Sequence, residues 1–107
     1  MTIDDFNQTI DAQLKICHNL LINKGNEYSF NSDRLKAFKT GAALQNITQK
    51  QCLLGMLTKH IISIYDMVST NKHFNINKWT EKISDAINYL LILKSMLVEE
   101  EYEKNKC

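Results

Sequence analysis

Proline is absent from the 107 residues and glycine occurs only three times. Helices can therefore run long without being broken. The three cysteines, Cys17, Cys52 and Cys107, are odd in number and far apart. They fit neither a disulfide framework nor a zinc site, and they read as reduced thiols of a cytoplasmic protein. Charge of one sign is also missing: thirteen basic and twelve acidic side chains leave a formal net charge of +1. No basic field exists to attract duplex DNA or an anionic membrane, which argues against general nucleic-acid binding. No apolar run reaches the length of a membrane span, and the acidic, polar start "MTIDDFNQ" does not read as a signal peptide. Arginine is nearly absent (Arg34 alone), and no repeat, low-complexity stretch or alternating strand pattern occurs.

What is present is helical periodicity. Ile3, Phe6, Ile10, Leu14, Cys17 and Leu21 step by threes and fours, and Lys24 with Gly25 supplies a stop. "GNEYSFNS" reads as a loop. A short helix is expected from about Ser32 to Leu44, capped by Ser32 or Asp33, with Leu35, Phe38 and Ala42 inward. Thr48 followed by Gln51 fits a capping box for a third helix ending near Ser69, with Leu54, Leu57, Ile61, Ile64 and Val68 as its seam. After the loop "TNKHFNIN", Asn77 is the expected cap of a fourth helix whose seam is Trp79, Ile83, Ala86, Leu90, Leu93 and Leu97. Residues 98–107 form an acidic tail expected to fray. The expectation is one all-α domain over residues 1–107, a helical bundle of three long helices and one short one.

The fourth helix is apolar on a second side. Ile92 and Met96 lie opposite its seam, in line with Asp85 and Asn88. A helix apolar nearly all round is buried on more than one side. In a domain this small the second cover is most easily another copy, so a homodimer or higher homo-oligomer built around Ile92 is expected.

Three stretches could carry chemistry. Glu81, Asp85 and Asn88 share one stripe of the fourth helix, bordered by Lys82 and Tyr89. Against a functional role stands a solvated first two turns with acidic groups favourable to the helix dipole. On the third helix "KHIISIYD" places His60 with Ser63 on the flank of the apolar face and Lys59 and Asp66 further out. A lone half-buried histidine is usually structural. The stretch around Glu27, Tyr28, Phe30, Asp33, Arg34 and Lys36 combines aromatic faces with both charges, a chemistry suited to a nucleobase and a phosphate. The alternative is aromatic rings tucked onto the bundle. A hydrolytic triad has no support, because no strained nucleophile turn occurs.

At "WTEKISDAINYLLIL" the chain resembles the MazG-like, all-α nucleoside triphosphate pyrophosphatase superfamily, especially its small phage-encoded members. In that superfamily a long helix carries a Glu-Glu-x-x-Asp run, often followed by Asn-Tyr-Leu, and a preceding helix carries Glu-x-x-Glu. Four of these five carboxylates, the first glutamate of the run excepted, hold magnesium against the phosphates. The resemblance covers roughly Phe6 to Leu97, and "KGNEYSFNSDRLKAF" looks like the first inter-helix region of phage relatives. It puts Asp85 on the family aspartate, Asn88 and Tyr89 after it, and Glu81 on the first glutamate. The other three carboxylate positions fall on Lys82, His60 and Ser63. A lysine repels the ion that the family binds.

The resemblance therefore implies a MazG-like oligomeric bundle that binds a nucleotide or cyclic nucleotide without metal or cleavage. Lys59, His60 and Lys82 would take the phosphates in one pocket. Ser63, Glu81, Asp85, Asn88, Tyr89, Tyr28 and Arg34 would complete the site. In a phage such a protein would sequester a nucleotide immune signal, a cyclic dinucleotide or cyclic ADP-ribose species, in the host bacterial cytoplasm. Two alternatives stand beside this. One is a magnesium-dependent pyrophosphohydrolase with Glu81, Asp85, Asp66 and Glu27 as ligands. The other is a structural or protein-interaction module.

Overall fold

The computed structural model describes residues 1–28 and 33–105, with the backbone alone over 24–28. The described residues form four α-helices: α1 (Ile3–Tyr28), α2 (Lys36–Gln45), α3 (Gln49–Ser69) and α4 (Ile76–Lys104). Among the described residues there is no strand, and no helix is long and apolar enough to cross a membrane.

Each boundary has a local cause. α3 begins at the expected capping box: the Gln51 N–H donates to the Thr48 hydroxyl at 3.1 Å, and the Thr48 N–H donates to the Gln51 side chain at 3.0 Å. α4 begins two residues earlier than expected. Asn75, not Asn77, takes the cap, its side-chain oxygen accepting from the Lys78 N–H at 2.9 Å. α2 begins later than expected. The Asp33 carboxylate is used in a turn, accepting from the Leu35 N–H at 2.9 Å, so Leu35 caps the helix without a side-chain bond. Ser32, the other expected cap, lies outside the described residues. α2 ends at Asn46, in the left-handed region with φ 55°.

Two expected endings are corrected. α1 continues through Gly25 to Tyr28. A helical glycine costs only about 1 kcal/mol, and no glycine among the described residues takes a positive φ. α4 does not stop at Val98 but runs to Lys104. Just past Val98, Glu99 pairs with Lys39 of α2 at 3.0 Å and Glu100 with Lys50 of α3 at 2.9 Å.

α4 is the central element. α3 packs on α4 and on α2, while α1 packs on α4. The α1–α4 contact is pinned by Gln13, which donates to the Ser84 hydroxyl at 2.7 Å, beside buried Cys17. α2 approaches α3 closely at Gly41, where an added Cβ would lie 2.9 Å from the Cys52 sulfur. The small core holds Leu35, Leu53 and Met96, with Phe38, Tyr89, Ile92 and Leu93 against it.

That core divides the expected seam of α4. Ala86 is buried, Leu93 packs on the core and Trp79 is half-buried, while Ile83, Leu90 and Leu97 are exposed. On the side expected to meet a second copy, Met96 is 0% exposed and Ile92 is half-buried against the core. The expected seam of α3 divides likewise: Leu57 is buried and Ile64 half-buried, while Leu54, Ile61 and Val68 are exposed. Periodicity defines a helix's faces, but packing chooses which one turns inward. The polar stripe that begins at Asp85 and Asn88 belongs to the inward side.

Candidate functional site

The inward stripe opens onto a cleft of about 400 Å³ between α1 and α3, with α4 as its floor. Every helix contributes. Leu20 and Leu21 come from α1, Phe38 from α2, His60 from α3, and Asp85, Asn88, Tyr89 and Ile92 from α4; Arg34 precedes α2 at the rim. The size suits a small organic ligand.

Its chemistry is an aromatic box with a few polar groups. The rings of His60 and Tyr89 lie 5.0 Å apart at 37°, and Phe38 meets Tyr89 edge-on at 6.5 Å. His60 Nδ1 lies 3.8 Å from the Asp85 carboxylate. Burial pushes the Tyr89 phenol above its ordinary range, and the Asp85 charge adds to the effect. The Arg34 guanidinium is held by the Leu21 carbonyl, to which it donates at 3.0 Å, so the cation is positioned by the end of α1. Asn88 is 9% exposed, and its side-chain oxygen accepts no hydrogen bond. A buried acceptor without a donor costs about 1–3 kcal/mol.

A second cleft of about 310 Å³ follows further along the α3–α4 groove. Ser63, Asp66, Met67 and Thr70 line it from the α3 side, Lys72 and Phe74 from the connection, and Lys78 and Lys82 from α4. Ser63 is three residues from His60, and Lys82 is three residues from Asp85. The facing edges of the two clefts are therefore about one helical turn, about 5 Å, apart along the groove.

The ten residues singled out in the sequence are thus distributed. His60, Asp85, Asn88, Tyr89 and Arg34 meet in the first cleft, and Ser63 and Lys82 in the second. Lys59 and Glu81 are exposed and line neither. The side chains of Tyr28 and Glu27, and all of Phe30, lie outside the described residues. The three cations expected in one pocket are separated accordingly. Of the carboxylates in the magnesium alternative, Asp85 is in the first cleft, Asp66 in the second and Glu81 in neither. Among the described residues no three His, Cys, Asp or Glu side chains come together to hold a metal ion.

Several lining residues escaped the sequence reading. Phe38 and Ile92 read as core or interface, and Leu20 sits beside the α1 stripe. Thr70, Lys72, Phe74 and Lys78 were absorbed into a loop and a helix start. A usable signal was there: Lys78 and Lys82 are spaced by four, which puts two ammonium groups on one face of α4. Compared with family models, curated proteins and solved structures, the chain matches none.

Proposed function

We propose that the chain binds a nucleotide and does not cleave it, the base occupying the aromatic cleft and the phosphates the lysine-lined one. The observation that carries the reading is the cleft's lining, the His60 and Tyr89 rings 5.0 Å apart with the Asp85 carboxylate and the Asn88 amide beside them. A nucleobase brings the complement, a flat ring and an N–H edge. His60 and Tyr89 offer the stacking surface, Asp85 a second acceptor and Arg34 a cation at the rim. In the neighbouring cleft Lys72, Lys78 and Lys82 supply positive charge, with Thr70 and Ser63 as hydroxyl donors.

The absence of cleavage rests on what stands where the resembled MazG-like family keeps carboxylates. Lys82, His60 and Ser63 offer a metal no hard anionic oxygen, and lysine charge substitutes for the ion without activating a water. Binding without turnover suits a protein that sequesters a nucleotide signal. A cyclic ligand recovered intact would extend the proposal to that role.

The test is to incubate the protein with a panel of linear and cyclic nucleotides, with and without magnesium, and chromatograph the solution before and after heat denaturation. The expected outcome is depletion of at least one nucleotide, followed by its recovery unchanged. Cleaved product in the magnesium arm would establish the pyrophosphohydrolase instead. No depletion by a folded protein would leave the interaction-module alternative.

A further inference from the structure

One wall of the first cleft is made of acceptors. Asp85 and Asn88 both line it from α4. Three residues apart on a helix, they are neighbours on one face, with about 5–6 Å between Cβ atoms. His60 Nδ1 comes no nearer to the Asp85 carboxylate than 3.8 Å, too far for a hydrogen bond. Among the described residues neither oxygen of Asp85 accepts one. The Asn88 oxygen accepts none either, on a residue 9% exposed. Beside this wall the His60 and Tyr89 rings lie 5.0 Å apart at 37°. They touch each other, so a flat ligand lies on their joint surface and not between them.

The nucleobases differ in what they bring to such a wall. Adenine has a single amine donor between two ring-nitrogen acceptors. Cytosine has one amine beside a ring-nitrogen acceptor. Uracil and thymine have one N–H between two carbonyls. Guanine alone carries two donors side by side, the N1–H and the N2 amine. A carboxylate takes N1–H and one N2–H as a two-pronged pair, its oxygens being acceptors only. The second N2–H is then left for the Asn88 oxygen. Every other base sets a lone pair against the carboxylate, which is a repulsive contact. The remaining edge of guanine carries the O6 and N7 acceptors, which suit a guanidinium. Arg34 stands at the rim, oriented by the bond it donates to the Leu21 carbonyl.

We propose that the first cleft selects guanine, with the Asp85 carboxylate as the residue that determines the base and the Asn88 oxygen as the second acceptor. The inference rests on the nucleotide-binding reading and adds the base to it.

The test is isothermal titration of the full chain in a buffer containing EDTA. The ligands carry guanine, hypoxanthine, adenine, cytosine or uracil, each as triphosphate, 3′,5′-cyclic monophosphate and cyclic dinucleotide. Hypoxanthine is guanine without the N2 amine. Within the phosphate form that binds best, guanine should bind at least about tenfold more tightly than each of the other four. Asp85→Asn keeps the shape of the side chain and turns one acceptor into a donor. Xanthine has a carbonyl where guanine has the amine, so this variant should prefer xanthine nucleotides to guanine ones. Nucleotide binding without preference for guanine, or equal affinity for guanine and hypoxanthine, overturns the inference and leaves the nucleotide reading in place. So does a folded Asp85→Asn that keeps the wild-type preference. Binding of no ligand in the set overturns both. Should Asp85→Asn fail to fold, the ratio of guanine to hypoxanthine affinity on the wild type decides.

Discussion

The two flanks of the α3–α4 pair reverse the usual assignment of polar and apolar groups. One flank draws Asn88, Asp85, His60 and Tyr89 partly or wholly out of solvent, and leaves the Asn88 oxygen without a donor. The other leaves Leu54, Ile61, Val68, Ile83, Leu90 and Leu97 exposed. A chain that lived alone would gain free energy by exchanging them. The difference teaches that the two flanks are unfinished in opposite senses, one with a buried polar group that lacks a donor, the other with apolar side chains in solvent. Substitutions on the two flanks should therefore fail differently.

The largest contrast is expected between neighbours on α4. Ile92→Asp places a carboxylate against Leu35, Leu53 and Met96. An uncompensated buried charge of that kind costs about 3–5 kcal/mol, so circular dichroism should show loss of the cooperative helical transition. Leu90→Asp, two residues away on the outer flank, should keep both its helical spectrum and its cooperative transition. If both variants unfold alike, or both stay folded, the distinction between the flanks fails.

The next effect sharpens the site itself. Lys82→Ala removes one charge-assisted contact to phosphate and should weaken nucleotide binding about ten- to a hundredfold, measured by isothermal titration. Lys59→Ala, exposed and lining neither cleft, should bind as wild type. Equal losses from both would mean general electrostatic attraction and no defined phosphate site.

A smaller effect concerns what keeps the end of α4 in place. The hydrogen bond from Lys39 to Asp33 holds the Asp33 carboxyl below its ordinary value of 3.8, and the bonds to Asp33 and Glu99 raise the Lys39 ammonium above 10.5. A lowered carboxyl contributes stability above its unfolded value and loses it as pH falls through the folded one. A raised ammonium contributes below its unfolded value and loses it as pH rises through the folded one. Urea unfolding of wild type and Lys39→Met should differ slightly between pH 5 and 9 and converge as pH falls below 3.8 and through the lowered Asp33 value. These groups are well exposed, so the difference is modest. A gap that persists once the Asp33 carboxyl is protonated would assign it to packing.

Much of this organisation was legible in the sequence. The Thr48–Gln51 capping box is read directly because its two bonds join neighbours in the chain. Leu35 and Ala42 are buried and Phe38 half-buried because a short helix with one apolar face has one way to pack. His60, Asp85 and Asn88 stand out as polar groups on otherwise apolar stripes. The direction of α4 was not legible: with apolar residues nearly all round, its hydrophobic pattern has no strong side. The choice between Met96 and Leu97 as the inward residue depends on Leu35 and Leu53, remote in sequence. The pairing of Gln13 with Ser84 and the convergence of Lys72 with Lys82 are likewise contacts between distant residues that no local spacing announces.

The claim that the inward flank is built for a nucleotide meets its sharpest test in thermal unfolding of wild type and Asn88→Leu, each scanned against the same nucleotide panel. Leucine has nearly the shape of asparagine and removes the orphaned acceptor, so the variant should melt no lower than wild type without ligand. A nucleotide at about a hundred times its dissociation constant adds about 2.7 kcal/mol to the folded state, a rise of roughly 10 °C or more for a domain of this size. At least one nucleotide should raise the wild-type midpoint by several degrees and leave Asn88→Leu unmoved. A wild type that no nucleotide shifts, or a shift of equal size in both proteins, would contradict the claim.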